Sequence, residues 1–382
     1  MPLGWDFIEN LLPLHLKNRH ERRKERLFMN EVRKQRIEEL DYVKGLAIFL
    51  VIMGHATDNL ATPLWRLVIY SFHMPLFFMV SGMVTKPADV KERGTFGAFL
   101  IKNFKALLVP YIIFAAVYSC FSYQNFGIML YGTFETLTSA HSLTSLWYLP
   151  VFFLSRVWVE LLFRALQPVK RYKEVWIAVA AVAFFAVGLA LPHPHPTSGT
   201  GFIGYPLGLD ISFVTTGYML AGCLLVPAVK RLREAKLSLL TLGLFLSLGL
   251  LAFGILVKGD SMVLDSMAFK GHNTLPTMFL NAFSGSVAII ILSIIMYRSP
   301  AWHSPIFNKN ILLFIGQNTI GIYLLHKNFM QEVVMGSFSR WGWTEPQVLV
   351  AFVSALITLV VACIGVKIIN RYIPQLIGRF PQ

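Results

Sequence analysis

The 382-residue sequence has few charged residues and very little cysteine. Charged residues make up only 14% of it, against 55% hydrophobic residues, which argues against a soluble domain of this size. The three cysteines show no CxxC or paired spacing, so neither a disulfide framework nor a zinc site is indicated. The net charge of +14 would suggest nucleic acid only if the basic residues shared one solvated face. They are instead spread over alternate loops, and no nucleic-acid partner is expected.

Long apolar runs separated by polar breaks dominate the chain. A helix of about 20 mostly apolar residues crosses a hydrocarbon core of roughly 30 Å. Ten runs of this kind occur, at 43–60, 66–85, 106–123, 145–164, 174–192, 207–229, 237–257, 276–297, 311–332 and 346–369. The sequence therefore predicts an all-α polytopic membrane protein, a bundle of about ten transmembrane helices.

The basic residues predict the topology of this bundle. Lys and Arg are dense between Lys17 and Arg36 and follow each even-numbered run, whereas loops 124–144 and 193–206 contain none. By the positive-inside rule both termini are cytoplasmic, which also requires an even number of spans.

Three regions follow from this topology. They are a basic cytoplasmic or interfacial segment at 1–40, a transmembrane domain at 41–370 and a short cytoplasmic tail at 371–382. The first segment fits an interfacial helix on an anionic leaflet, and the alternative is a disordered basic tail that only sets topology.

The first predicted span contains ionisable residues, which are costly in lipid unless they are paired or face water. Asp41 and Lys44 are three residues apart on one helix face, so we expect them to pair. His55 lies about 16 Å deeper and on the same face as Lys44. Snorkelling is the structural alternative for Lys44. The structural alternative for His55 is a core histidine bonded to a carbonyl, whereas Asp58, one turn on, could orient a catalytic imidazole.

Two further helices bring histidines to a similar depth. His73 lies in the second predicted span and His326 in the ninth, so three histidines are expected to gather in the outer half of the bilayer. No HxxxH or HxH spacing accompanies them, and no metal site is expected. Pro75, Ser81 and Gly82 predict a second helix that bends and lets backbones approach.

Arg156 and Glu160 are spaced i,i+4 in the fourth predicted span. This spacing favours a mutual ion pair, and a contact between Arg156 and a ligand is the alternative.

Five segments occur in order along the sequence. Lys44 is followed by ten residues and then His55, and the later segments are FHMPLFFMVSG at 72–82, Lys102 and Lys105 before LLVPY, LWYLP at 146–150 and IGQNTIGIYLLH at 315–326. In this ordered set, the sequence resembles the acyltransferase type 3 family of bacterial membrane O-acyltransferases, in its compact, fucose-acetylase-like form. The hallmark of that family is Arg or Lys, ten residues and then His.

The resemblance implies an enzyme of the bacterial cytoplasmic (inner) membrane. Its donor would be acyl-CoA, with acetyl-CoA expected, and its acceptor a hydroxyl of an extracytoplasmic or lipid-linked glycan. His55 is then the expected general base, with Asp58 or a carbonyl fixing its tautomer, and a transient acyl-histidine is the variant mechanism. His73 or His326 would polarise the thioester carbonyl or hold the sugar.

The donor contacts are expected from basic side chains. Lys44 stands where many family members have Arg, which keeps the charge but loses the bidentate fork for phosphate, so Lys102 and Lys105 are predicted to assist, with Arg156 as a further candidate. The competing function is a proton-coupled or glycan-exporting transporter, because intramembrane histidines also serve in proton relays. A scaffold without chemistry is a third class.

Overall fold

The computed structural model describes residues 37–56, 63–85, 94–122, 146–169, 171–191, 205–258, 275–300, 309–327, 332–344 and 347–380. The chain divides into two units, Met1–Glu38 and Glu39–Gln382. The predicted interfacial segment at 1–40 lies almost entirely outside the described residues. All the regular secondary structure of the described part is helical, in agreement with the predicted fold class.

The described residues form fourteen α-helices. They are α1 (Glu38–His55), α2 (Leu64–Tyr70), α3 (His73–Val84), α4 (Phe96–Asn103), α5 (Val109–Ser122), α6 (Tyr148–Ala165), α7 (Lys173–Ala190), α8 (Leu209–Glu234), α9 (Leu237–Lys258), α10 (Leu275–Arg298), α11 (Lys309–Gln317), α12 (Thr319–Leu325), α13 (Glu332–Arg340) and α14 (Gln347–Tyr372). A π-helical turn, Phe104–Leu108, joins α4 to α5, and short 3-10 helices occupy Pro206–Gly208 and Pro374–Ile377.

Seven stretches of the described residues are long and apolar enough to cross a membrane. They are Leu64–Val84, Phe96–Tyr118, Lys173–Ala190, Pro206–Glu234, Leu237–Val257, Pro276–Arg298 and Gln347–Tyr372. The chain is therefore a multi-pass membrane protein. These stretches correspond to the second, third, fifth to eighth and tenth predicted spans. The other three predicted spans contain α1, α6 and the α11–α12 pair, which do not meet the same requirement of length and composition within the described residues.

The second predicted span is broken between α2 and α3. Pro75 has no amide hydrogen, so the carbonyl of Ser71 loses its usual partner four residues on. At the break, Phe72 leaves the helical conformation, with φ −140° and ψ −19°, and its carbonyl accepts from the amide of Leu76 at 2.9 Å. The predicted bend is confirmed, and it lies one turn before the proline.

The helices α3 and α8 touch backbone to backbone. A Cβ atom on Gly82 would overlap the carbonyl oxygen of Met219, and one on Gly222 would overlap the carbonyl oxygen of Met79. The thiol of Cys223 also donates to the carbonyl of Gly82 at 3.2 Å. Such close approach is typical of small residues between transmembrane helices, and it confirms the role predicted for Gly82.

Candidate functional site

Three histidines from three helices lie near one another. His55 ends α1, His73 begins α3, and His326 directly follows α12. The ring centroids of His55 and His326 are 5.5 Å apart. The ring of Tyr70 lies 6.0 Å from that of His55 and 5.1 Å from that of His73. The structure thus brings the three histidines together as expected, and their depth in the bilayer stays a prediction.

Two of these rings are buried and bonded to backbone carbonyls. Nδ1 of His73 donates to the carbonyl of Ile69 at 2.9 Å, and Nδ1 of His326 donates to the carbonyl of Tyr323 at 2.6 Å. Because a carbonyl can only accept, each neutral ring carries its hydrogen on Nδ1 and a lone pair on Nε2. His55 is only half-buried, so it is the most accessible histidine of the three.

The hydroxyl of Tyr70 orients His55. It donates to the carbonyl of Gly54 at 3.0 Å, so its oxygen is left to accept. Nδ1 of His55 lies 3.3 Å from that oxygen, and Arg66 donates to the same oxygen at 3.3 Å. This arrangement places the hydrogen of His55 on Nδ1 and makes Nε2 the basic nitrogen.

The sequence prediction missed Tyr70 and Arg66 as partners of His55. A signal was present, because Arg66, Tyr70 and His73 have the i, i+4, i+7 spacing of a single helix face. Asp58, which was predicted to orient the imidazole, lies outside the described residues.

The opposite end of α1 contains the predicted ion pair. Nζ of Lys44 lies 2.6 Å from Oδ1 of Asp41, which confirms the pairing. Ile48 and Val51 lie between Lys44 and His55 on the same helix face, because the four positions are spaced by three or four residues. One stripe of α1 thus joins the cation to the histidine.

A small, partly open cavity lies against this stripe. Its walls come from α1, α3, α6 and α12, and its lining residues are Ile48, Val51, Met74, Phe77, Tyr148, Thr319, Ile320 and Tyr323. The ring of Tyr323 is also 5.6 Å from the ring of His326. The cavity is therefore a mostly apolar space beside the histidines, with a few hydroxyl groups in its wall.

The other predicted basic contacts lie at different places. Lys102 on α4 and Lys105 in the π-helical turn are exposed. The guanidinium of Arg156 lies 5.7 Å from the ring of Phe152, and that ring stacks at 5.3 Å on Tyr148, which lines the cavity. Arg156 thus borders the aromatic wall of the cavity.

Glu160, the predicted partner of Arg156, forms an ion pair with Arg164 at 2.8 Å. The structure thus shows an i,i+4 pair on α6, one turn further along than predicted. An ion pair between Glu160 and Arg156 stays a prediction.

No metal cluster is evident among the groups that the structure describes. Within those residues, no three His, Cys, Asp or Glu side chains lie close enough together to hold an ion. The prediction that the reaction uses no metal remains a prediction.

Comparisons with known proteins identify the family of this chain. A family model described as an acyltransferase domain matches residues 37–367. Nodulation protein NolL of Sinorhizobium fredii (strain NBRC 101917 / NGR234) is 33% identical over 85 residues, which are 20% of this chain and 23% of that protein. The match thus spans less than a quarter of NolL, and no solved structure matches the chain. Because the family match covers most of the sequence, the chain belongs to the acyltransferase type 3 family.

Proposed function

We propose that this protein is a membrane O-acyltransferase, and specifically an O-acetyltransferase. It moves the acyl group of cytoplasmic acyl-CoA to a hydroxyl of an extracytoplasmic or lipid-linked glycan. The observation that carries the proposal is the cavity along α1, which lies between a paired lysine and a half-buried histidine whose basic nitrogen is fixed by Tyr70.

The length of the α1 stripe from Lys44 to His55 suits an acyl-CoA donor. The eleven-residue separation of Lys44 and His55 corresponds to a rise of about 16 Å, a length that suits an extended pantetheine arm with its phosphates near Lys44. The apolar lining from Ile48, Val51 and Met74 suits that arm. The thioester then reaches His55.

The transfer follows general base catalysis at His55. Nε2 takes the proton of the acceptor hydroxyl while the hydroxyl oxygen attacks the thioester carbonyl carbon. The carbon–sulfur bond then breaks, and the CoA thiolate leaves with the proton that Nε2 had accepted. The product is an ester of the acceptor and free CoA, and His55 returns to its starting state.

The hydrogen bonds of the buried histidines favour one of their two predicted roles. Neutral His73 and His326 already donate through Nδ1 to carbonyls, so their Nε2 atoms can accept but cannot polarise a carbonyl oxygen. We therefore assign them to holding acceptor hydroxyls. A charged ring would be needed for the other role.

The proposed orientation rests on the loop charges. Ten spans, with both termini and Lys44 on the cytoplasmic side of a bacterial inner membrane, place the donor end inside and the histidines toward the outside. The three spans beyond the seven apolar stretches would be α1, α6 and the α11–α12 pair.

Membranes from a strain that lacks the gene provide the test. Wild-type protein should release CoA from acetyl-CoA in these membranes, and mass spectrometry should show an acetylated surface polysaccharide that the deletion strain lacks. We expect His55→Ala to lower the rate by about 10²- to 10⁴-fold. Leu246→Ala, at a site 60% exposed on α9, is the matched control and should leave the rate unchanged.

Two results would contradict the proposal. One is normal acyl transfer by the His55→Ala protein. The other is uptake of a labelled glycan into proteoliposomes in the absence of acyl-CoA, which would favour a transporter.

A further inference from the structure

The segment Pro374–Phe380, which follows α14, folds back onto the bundle. Gly378 has a positive φ of +78°, and a Cβ atom on it would overlap the carbonyl oxygen of Ala106 in the π-helical turn. Nζ of Lys105 lies 5.8 Å from the ring of Phe380. These contacts fix the backbone on both sides of Arg379.

One nitrogen of Arg379 is anchored at the junction of α11 and α12. Its Nη2 donates to the side-chain oxygen of Asn318 at 2.8 Å and to the carbonyl of Gln317 at 3.2 Å. Asn318 is itself buried and fixed, because it also accepts from Asn370 at 2.9 Å and donates to the carbonyl of Phe314 at 2.8 Å. The guanidinium is therefore positioned by a rigid network.

The anchored guanidinium lies beside the cavity and near Lys44. Asn318 directly precedes Thr319 and Ile320, which line the cavity. Gly316 packs against the backbone of Asp41, the residue that holds Lys44. The carbonyl of Gln317, which Nη2 of Arg379 contacts, is one residue along the chain from Gly316. Because neighbouring Cα atoms are about 3.8 Å apart, the guanidinium of Arg379 lies within about 14 Å of the Asp41 backbone.

The remaining donors of Arg379 are available at this position. Within the described part of the chain, Nε and Nη1 form no hydrogen bond, and the residue is exposed. Nη2 belongs to both donor pairs with which a guanidinium can form a fork, and it is already bonded to Asn318 and Gln317. Nε and Nη1 therefore donate separately, and the charge is spread over the guanidinium plane, whereas lysine provides a point charge. Arg379 thus offers an anion a delocalised charge and two single donors that Lys44 lacks.

We propose that Arg379 binds a phosphate of the CoA donor at the mouth of the cavity, together with the point charge of Lys44. This inference rests on the proposed function and adds a donor-binding residue that lies outside the matched family region, 37–367. The phosphate ligand belongs to the nucleotide part of CoA, so the acyl-pantetheine part alone does not engage Arg379.

Equilibrium binding to purified protein in nanodiscs of fixed lipid composition tests this assignment. The two probes are acetyl-CoA and S-acetylpantetheine, which carries the same thioester without the nucleotide phosphates. We expect Arg379→Gln to weaken acetyl-CoA binding by about 10- to 100-fold and to leave S-acetylpantetheine binding unchanged. Arg379→Lys keeps the charge but loses the separate Nε and Nη1 donors, and should give an intermediate loss.

Arg371→Gln is the matched control. Arg371 is an exposed arginine in the last turn of α14, where it packs 5.6 Å from the ring of Tyr372. The Arg371→Gln protein should bind both probes with the same affinity as the wild-type protein. Unchanged S-acetylpantetheine binding by Arg379→Gln also shows that this variant is folded.

Three results would overturn the assignment, and they are distinguishable. Equal weakening of both probes by Arg379→Gln would show that Arg379 only holds the segment in place. Unchanged acetyl-CoA binding by Arg379→Gln would show that Arg379 contacts no phosphate of CoA, and it would leave the proposed function unaffected. If the wild-type protein failed to bind acetyl-CoA, the proposed donor would be wrong, and the proposed function would be wrong with it.

Discussion

The α2–α3 stretch and α9 are both apolar enough to cross a membrane, yet their surroundings are opposite. In the most apolar window of Leu64–Val84, 78% of the residues are buried, against 28% for Leu237–Val257. The first stretch carries the buried residues Tyr70 and His73, whereas the exposed fractions of Phe245 and Leu256 on α9 are 72% and 80%. Hydropathy therefore locates a span, and its polar residues indicate whether it faces the interior.

The same contrast explains which predicted spans fail the test of length and composition. In α1, Glu39 forms an ion pair with Arg233 at 2.7 Å, and Asp41 forms one with Lys44. Such charges reduce the hydropathy of the helix, but they are tolerated because they are paired inside the protein. Three of the helices that build the site, α1, α6 and α12, therefore lie outside the seven apolar stretches, whereas α2 and α3 lie within one of them.

The largest expected effect on stability is at the contact of α3 with α8. Gly222→Ala places a methyl group against the carbonyl of Met79 and should cost about 3 kcal/mol of unfolding free energy, because neither backbone can yield. Gly249→Ala on α9 is the control, since nothing lies within 4 Å of its Cβ position. Thermal unfolding in detergent measures both. Equal melting temperatures would show that the helices separate easily.

A smaller effect is expected at Tyr70. Tyr70→Phe removes the oxygen that accepts from Nδ1 of His55, so kcat should fall about 10-fold while the KM for acetyl-CoA stays unchanged. Tyr172→Phe, at a position 73% exposed, is the control and should change neither constant. A rise in KM without loss of kcat would show that Tyr70 shapes the cavity and does not orient His55.

The polar contact between α6 and α8 should make a smaller contribution to the unfolding free energy than the contact of α3 with α8. The Ser155 hydroxyl lies 2.7 Å from that of Thr215, and hydrogen bonds between membrane helices average about 0.6 kcal/mol. Ser155→Ala should therefore lower the unfolding free energy by that amount. Ser247→Ala is the control, because among the described residues the Ser247 hydroxyl donates to the carbonyl of Gly243 in its own helix. A similar loss in both variants would contradict an interhelical contribution.

The smallest effect is expected on the exposed face of α9. Leu256→Ala should change the unfolding free energy by less than about 0.5 kcal/mol, because the side chain leaves few protein contacts behind. The measurement is the same detergent unfolding curve. A loss of several times that amount would show that another protein surface covers this face.

Much of the fold was predictable because apolar length is a local property. The predicted spans 276–297 and 346–369 agree closely with Pro276–Arg298 and Gln347–Tyr372. The breaks were harder to place. A proline loses a hydrogen bond to the carbonyl four residues earlier, so the break at Phe72 precedes Pro75, and the junction at Asn318 depends on Asn370 and Arg379, which are distant in sequence.

The site was predictable where costly residues share a helix face. Lys44, Asp41 and the three histidines were found because ionisable groups in lipid need partners. Tyr70 was missed because a tyrosine in an apolar run carries no such cost. Arg379 was missed because its role depends on the fold of Pro374–Phe380 against the π-helical turn, which no local pattern reveals.

That π-helical turn, Phe104–Leu108, gives the helix a spare residue. A π-helical turn of this kind accommodates an extra residue relative to an α-helix. Deleting one residue there would let the turn become α-helical and would leave the segments on either side in their present orientation. The ring of Phe96 would then stay beside the guanidinium of Arg164, now 5.7 Å away. The same deletion inside regular α4 would instead rotate the residues before it by about 100°.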